Sequence, residues 1–379
     1  MNKIQKMLQD LCPNGVEWKT LGECCVFQRG STITAKDAVE GEVPVIAGGL
    51  KPAYYHNVAN RTGETITIAG SGAYAGYVSY WDIPIYVSDA FSISPKDETF
   101  TVKYLYYFLK NNQEKIHNTK KGSGVPHVHP SSIQHFSIPI PPLEVQVEIV
   151  NLLDKFTQLS AELKAELKLR RKQYDYYRNH LLSFDSNSTT VHWMPLGEVA
   201  EYAKGRIAIE DIDEINYVSV ENLLQDRQGV TIASSIPNME SCIRFLPNDI
   251  LIGNIRPYLR KIWLADKEGG TNGDVLTVRI KSSYKESLLP RFLYHNLASE
   301  SFFLFDNQHA KGAKMPRGDK NAVMQYLIPI PPMEEQERIV GILDKFETLV
   351  NDLSKGLPAE IALVQKQYEY YRNLLLTFE

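Results

Sequence analysis

The chain contains the same pair of motifs twice, about 190 residues apart. Residues 138–156 read IPIPPLEVQVEIVNLLDKF and residues 328–346 read IPIPPMEEQERIVGILDKF, with 13 of 19 positions identical. A second motif, KQYDYYRNHLLSF at 172–184, returns as KQYEYYRNLLLTF at 366–378, with 10 of 13 identical. This period is too long for one unit of a solenoid. The sequence therefore predicts a duplicated module that combines a globular part with a long helix.

The residues that follow each Pro-Pro pair predict the helix. Apolar side chains recur at spacings of three and four residues, which keep one face of a helix toward a partner helix. We predict helices over 142–184 and 332–379, packed antiparallel as a coiled coil, with Gly356 and Pro358 interrupting the second helix. The alternative is a pair of core helices within one ordinary domain. The predicted coiled-coil or partner contacts are Phe156, Leu159, Leu163, Tyr174, Tyr177, Phe346, Leu349, Leu353, Tyr368 and Tyr371.

The segments before the helices, residues 1–141 and 185–331, predict two globular α+β domains in tandem. Runs rich in β-branched and aromatic residues predict strands at 65–69, 77–80, 216–220 and 250–253, whereas residues 104–111 and 291–299 predict short helices. The two IPIPP motifs predict stiff extended connectors into the helices. The globules match at their ends but diverge between them. This difference favours one shared partner and two different ligands.

Charge and cysteine content limit the possible functions. The 379 residues carry a net charge of −4, unlike the strongly cationic proteins that bind DNA through its phosphates alone. The four cysteines show no CxxC spacing, and we expect free thiols in a reducing compartment. No apolar run reaches the roughly 18 residues of a membrane span, and the first residues lack the apolar core of a signal peptide. We therefore expect a cytoplasmic protein.

Four segments together resemble a known family. They are LCPNGVEWKTLGE at 11–23, the paired IPIPP helices, GLPAEI at 356–361, and KQY(D/E)YYRN near the end of each helix. In this order along the whole chain, they resemble the DNA-specificity subunit of type I restriction–modification enzymes. The resemblance implies two target-recognition domains that each read half of a bipartite site in double-stranded DNA. It also implies that the helices set the spacer between the half-sites.

The resemblance further implies the partners. The helices would dock two modification (methyltransferase) subunits, and restriction/translocase subunits would join the complex. S-adenosylmethionine, ATP and Mg would be held by those partners, so that this chain binds no cofactor and is not itself an enzyme. The sequence agrees in lacking a GxxxxGK[ST] phosphate loop and the polar-Pro-Pro-aromatic motif of adenine methyltransferases.

Candidate DNA-binding residues lie in two matching parts of each globule. Arg and Lys read guanine, Asn reads adenine, and glycines allow a close approach to DNA. Arg256 precedes a proline, so we expect it in extended geometry. An ordinary hairpin turn and solvated surface charge are the alternatives for these loops. The candidates are Ser71, Tyr74, Lys120, Lys121, Ser123 and His127 in the first globule, and Asn254, Arg256, Tyr258, Arg260, Lys261, Lys311, Lys314, Arg317 and Lys320 in the second.

Histidines at 127, 129 and 135 have a spacing that zinc ligands can use. The second copy has Arg317, Asp319 and Gln325 at the matching positions, which argues against a shared metal site. Two other functions stay open at this point. One is a hydrolase that uses the Gly-rich loop and the histidines, and the other is a coiled-coil adaptor that does not contact DNA.

Overall fold

Each globule folds together with segments of both long helices. The computed structural model describes residues 3–122, 124–185, 188–352 and 354–378. It divides into a first unit, residues 1–162 with 361–379, and a second unit, residues 163–360. All four cysteines are free thiols, as predicted. None of the described helices combines the length and apolar character that a transmembrane span requires.

The first unit contains a four-stranded antiparallel sheet with strand order β2-β8-β5-β6, a three-stranded sheet β4-β3-β7, and a strand pair β1-β9. The strands are β1 (Glu17–Thr20), β2 (Cys25–Arg29), β3 (Val43–Ile46), β4 (Tyr54–His56), β5 (Thr65–Ala69), β6 (Val78–Trp81), β7 (Tyr86–Val87), β8 (Ala90–Pro95) and β9 (Ser137–Ile140). The helices are α1 (Lys3–Leu11), α2 (Leu21–Cys24), α3 (Val102–Asn111), α4 (Gln113–His117), α5 (Pro130–Ile133) and α6 (Leu143–Leu181), whose second half belongs to the second unit.

The second unit repeats this arrangement, with sheets β11-β18-β15-β16, β12-β14-β17-β13 and β10-β19. The strands are β10 (His192–Pro195), β11 (Ala200–Tyr202), β12 (Arg206–Ala208), β13 (Tyr217–Val218), β14 (Ser241–Phe245), β15 (Ile250–Gly253), β16 (Ile262–Leu264), β17 (Gly269–Thr271), β18 (Val275–Ile280) and β19 (Leu327–Ile330). The helices are α7 (Leu196–Val199), α8 (Pro290–Leu297), α9 (Glu300–His309), α10 (Lys320–Gln325), α11 (Met333–Asn351) and α12 (Leu357–Thr377), most of which belongs to the first unit.

The repeated IPIPP motifs are strands rather than free connectors. Ile138 to Ile140 pair antiparallel with β1, and Ile328 to Ile330 pair with β10 in the same register. The glutamine four residues after the second proline explains why the motif continues into the helix. The buried side chain of Gln146 donates to the Pro141 carbonyl at 2.8 Å and accepts from the Thr101 backbone at 3.0 Å. Gln336 repeats both bonds with Pro331 and Leu289, so each globule is fastened to the start of its helix.

The predicted helices are confirmed, with different lengths. α6 has 39 residues, and the second helix is divided into α11 (19 residues) and α12 (21 residues). The interruption falls at residues 352–356, beside the predicted Gly356, and Pro358 lies in the first turn of α12. The four residues by which the second copy is longer therefore coincide with this interruption and not with an additional helical turn.

Aromatic side chains form the helix seam within each unit. In the first unit Phe156 stacks on Tyr371 with ring centroids 5.6 Å apart. In the second unit Phe346 stacks on Tyr177 at 5.3 Å and on Tyr174 at 6.1 Å. Farther along α11, Val350 and Asn351 lie beside Arg171 and Tyr174, so α11 and α6 run antiparallel.

The other predicted seam residues divide into three groups. Leu163 is buried, whereas Leu349 and Tyr368 are partly buried and pack against the two main cores. Leu159 is a correction, because 41% of its surface is exposed. Leu353 lies outside the residues that the structure describes.

Candidate nucleic-acid interface

Two loops of the first unit lie side by side. The Gly-rich loop of residues 70–77 joins the antiparallel strands β5 and β6, and residues 120–129 form a second loop beside it. Gly72 N donates to the Pro126 carbonyl at 3.0 Å, and Val128 N donates to the Gly70 carbonyl at 3.0 Å. Ser71 and Lys121 each form a β-bridge with His127. We call the surface of these two loops the first reading surface.

The second unit builds the same frame from different residues. Arg256 N donates to the Pro316 carbonyl at 2.7 Å, and Gly318 N donates to the Asn254 carbonyl at 3.0 Å. Ile255 and Lys311 both form bridges with Arg317. Residues 254–261 thus match 70–77, and residues 311–320 match the loop before β9. These loops form the second reading surface.

Backbone geometry matches even where the residue type does not. Gly72 (φ 83°) corresponds to Arg256 (φ 54°), and Gly76 (φ 88°) corresponds to Arg260 (φ 51°). The left-handed region is natural for glycine and strained for arginine. The extended geometry expected for Arg256 is therefore wrong. The hydrogen bond to Pro316 and the 3-10 turn at Pro257–Leu259 hold Arg256 in this conformation against the preference of a residue before proline.

On the first reading surface, Tyr74 and Lys121 are exposed. Lys120 Nζ donates to the Ala73 carbonyl at 3.2 Å and also contacts His117. The Ser71 hydroxyl donates to the Asp89 carboxylate. The rings of His127 and His129 stack with centroids 6.0 Å apart. Ser123 lies outside the described residues.

On the second reading surface, Arg256 and Tyr258 are exposed, and the Arg256 guanidinium makes no hydrogen bond or ion pair with the described residues. Arg260 is turned toward Glu300, at 2.6 Å, and Asp226. The half-buried Lys261 donates to the Val220 carbonyl at 2.5 Å, and burial lowers the pKa of its ammonium group. Arg256 is therefore the arginine of this loop that remains available to a ligand.

Asn254 is a second correction to the predicted site. Only 5% of its surface is exposed, and its side chain faces the interior beneath Gly318. The backbone of Asn254 shapes the loop, but its amide cannot reach a base edge in this conformation.

The four cations predicted near residue 311 are present on the surface. Lys311 pairs with Asp319 at 2.6 Å, Arg317 pairs with Asp274 at 3.2 Å, and both remain largely exposed. Lys320 donates to the Gly273 carbonyl at 3.3 Å. Lys314 is exposed without a described partner. Such side chains suit contacts with phosphate.

The structure adds polar residues that the sequence did not indicate. A cleft of about 480 Å³ in the second unit brings Glu221, Asn272 and Asp274 beside Arg256 and Lys261. In the first unit a cavity of about 240 Å³ is lined by Arg29 and Asp89 together with His127 and His129. These residues come from segments that are distant in sequence. No local motif could have identified them.

His295, Asp344 and Glu347 are the one described group with the spacing of metal ligands. The guanidinium of Arg291 already lies 2.7 Å from Asp344 and 2.5 Å from Glu347. His295 Nε2 is 2.7 Å from Asp344. The group is an ion-pair network that joins α8 to α11, and it holds its own cation.

Two copies of one fold with different side chains on a shared loop frame define a duplicated recognition protein. The model of the family "Type I restriction modification DNA specificity domain" matches residues 13–169 and again 190–363. The chain belongs to this family.

Known relatives span the same length. The type I restriction enzyme EcoR124I/EcoR124II specificity subunit of Escherichia coli is 30% identical over 412 residues, covering 100% of this chain and 97% of that protein. A putative type I restriction enzyme specificity subunit of Haemophilus influenzae is 29% identical, covering 99% and 98%. The crystal structure of the S subunit from M. genitalium matches with a TM-score of 0.63 and 17% identity, over 96% of this chain and 97% of that one, which supports the fold.

Proposed function

We propose that this chain is the sequence-specific DNA-recognition subunit of a type I restriction–modification complex. Each globule reads one half of an asymmetric bipartite site in double-stranded DNA. The observation that carries the proposal is the shared loop frame, on which one globule places glycines and the other places arginines. Two frames of the same shape with different side chains suit two half-sites of different sequence.

The chemistry of the two surfaces fits the grooves of DNA. Arg256 could make the bidentate contact to guanine, and Asn272 could pair with adenine in the same cleft. Glu221 and Asp274 could accept a hydrogen bond from the cytosine amino group. Lys314 and its neighbours supply phosphate contacts, which fix the position of the protein without reading sequence.

The remaining tasks fall to other subunits. The matched helices α6, α11 and α12 would dock two modification subunits and set the spacer between the half-sites. S-adenosylmethionine would be bound by those subunits, and ATP and Mg by the modification or restriction/translocase subunits. The chain itself would carry out no chemical step.

Co-expression of this chain with its modification subunits, followed by sequencing of methylated adenines, tests the proposal. We expect a motif of two unlike half-sites separated by a spacer of fixed length. A complex that forms but methylates no defined motif would favour a coiled-coil adaptor. Turnover of a hydrolysable substrate by the isolated chain would favour an enzyme.

A further inference from the structure

The second unit buries a carboxylate directly beneath its reading surface. Asp306 in α9 is 0% exposed, and neither of its carboxylate oxygens has a hydrogen-bond partner among the described residues. The Oδ1 atom of Asn254 is also buried without a partner. Both face Gly318, where a Cβ atom would lie 2.4 Å from Asp306 Oδ1 and 2.7 Å from Asn254 Oδ1. The close approach of the loop to the acid requires this glycine.

The first unit shows that the fold does not need an acid here. The alignment of 121–142 with 311–332 places Ile116 at the position of Asp306 and Val128 at that of Gly318. Both are fully buried side chains, and each has a methyl carbon 3.2 Å from the Cβ position of Gly76 in the Gly-rich loop. An apolar contact supports the first reading surface, whereas a buried acid lies under the second. The difference points to a role for the acid beyond packing.

The two oxygen acceptors are compatible only if a hydrogen lies between them. A protonated Asp306 can donate to Asn254 Oδ1. An ionised Asp306 instead requires the Asn254 amide to turn and present its NH₂ group. The two protonation states therefore favour two orientations of a residue whose backbone carbonyl holds Gly318.

The surroundings leave this balance near neutral pH. Burial raises the pKa of Asp306 to about 6, and the positive charge of His309 on the same helix acts in the opposite direction. Tyr202 of β11 faces Asp306 and Asp319, and donates to the Lys320 carbonyl at 2.8 Å. From the loop above, Lys311 pairs with Asp319 and Lys320 is exposed, so both can meet DNA phosphates.

We propose that Asp306 is a positioning residue of the second reading surface that takes up a proton when DNA binds, and that the first reading surface has no such coupling. The proposal rests on the proposed function. DNA phosphates that approach the cationic loop place negative charge above the buried carboxylate, which disfavours its ionised form. The protonated acid then holds Asn254 and Gly318 in the orientation seen here.

Calorimetry of the complex with its modification subunits tests the coupling. The ligand is a DNA duplex that carries the motif found by methylation sequencing, titrated in buffers of different ionisation enthalpy at about pH 6 to about pH 8. For the unaltered protein we expect net proton uptake and affinity that rises as the pH falls. Each unit by which DNA raises the pKa of Asp306 contributes up to about tenfold in affinity.

Two variants assign the proton. Asp306→Asn keeps the shape and is always neutral, and we expect it to take up fewer protons and to show a shallower pH profile. His309→Gln removes the nearby imidazole and keeps Asp306, and we expect the uptake assigned to Asp306 to remain. Zero uptake by the unaltered complex would overturn the proposal without any variant. Equal uptake by Asp306→Asn and the unaltered protein would also overturn it. In either case an unchanged bipartite motif leaves the proposed function intact, whereas loss of any motif in the unaltered complex contradicts the function itself.

Discussion

At the scale of single residues, Arg256 combines a strained backbone with an unpaired side chain. A left-handed conformation costs an L-residue on the order of 1 kcal/mol, and the first unit has glycine at the matching position. Strain of this kind persists where the side chain is needed. We predict that Arg256→Gly leaves the free energy of unfolding unchanged or raises it by up to about 1 kcal/mol. The same variant should lose discrimination at one base pair, worth about 1–3 kcal/mol.

Unfolding in denaturant and sequencing of methylated adenines measure the two effects. Arg260→Gly is the matched control, because it relieves the same strain but removes the ion pairs with Glu300 and Asp226. We expect Arg260→Gly to be the less stable of the two variants. An unchanged methylation motif with Arg256→Gly would contradict the role assigned to this guanidinium.

Asp306 should also affect stability as a function of pH. Its folded-state pKa of about 6 lies above the ordinary value of 3.8, so the folded protein binds the proton more tightly than the unfolded chain. The contribution to stability is therefore present below about pH 4 and is lost as the pH rises through about 6. At pH 8 this loss is on the order of 3 kcal/mol. We predict that Asp306→Asn is more stable than the unaltered protein at pH 8 and that the difference vanishes near pH 4. Thermal unfolding at the two pH values would show a constant difference if the prediction is wrong.

Residue-level chemistry was the least predictable part of the sequence. The composition of the loops identified both reading surfaces, because glycine, tyrosine and cations cluster there. The burial of Asn254 and the geometry of Arg256 could not be predicted, since both depend on hydrogen bonds to a loop about 60 residues away. Glu221, Asn272 and Asp274 reach the cleft through the same kind of distant contact.

At the scale of elements, the interruption between α11 and α12 depends on Gly356. A Cβ atom there would lie 2.3 Å from the Thr348 carbonyl oxygen and 2.8 Å from that of Leu349. Because these are backbone atoms, the turn cannot yield without distortion. We predict that Gly356→Ala lowers the free energy of unfolding of the chain by about 2 kcal/mol or more.

Gly341 provides the control for this prediction. It lies within α11, and no atom is within 4 Å of its Cβ position. Gly341→Ala should raise stability by up to about 1 kcal/mol, the difference in helix propensity. Denaturant unfolding of both variants decides the point, and equal effects would mean that the turn tolerates a side chain.

Elements were more predictable than sites. Local signals sufficed for α6, for the interruption marked by Gly356 and Pro358, and for strands such as β5 and β15, because period and turn chemistry are written in neighbouring residues. The extended IPIPP segments were also predicted. Their pairing with β1 and β10 was not, since each pair joins residues more than 100 positions apart.

At the scale of the whole molecule, α6 is one continuous helix through residues 162 and 163, where the two units meet along the chain. Four residues add about one turn and about 6 Å to a helix, which leaves the apolar face nearly in register. This length is comparable to the rise of about two base pairs of DNA. We predict that insertion of four helix-forming residues between Glu162 and Lys168 changes the recognised spacer and leaves both half-sites unchanged. Sequencing of methylated adenines reads the spacer and the half-sites together. A control with Lys164→Gln and Lys168→Gln alters the same segment without changing its length, and it should keep the original spacer. An insertion variant that methylates the original spacer would show that α6 does not set the distance, and a variant with altered half-sites would show that the globules are not independent modules.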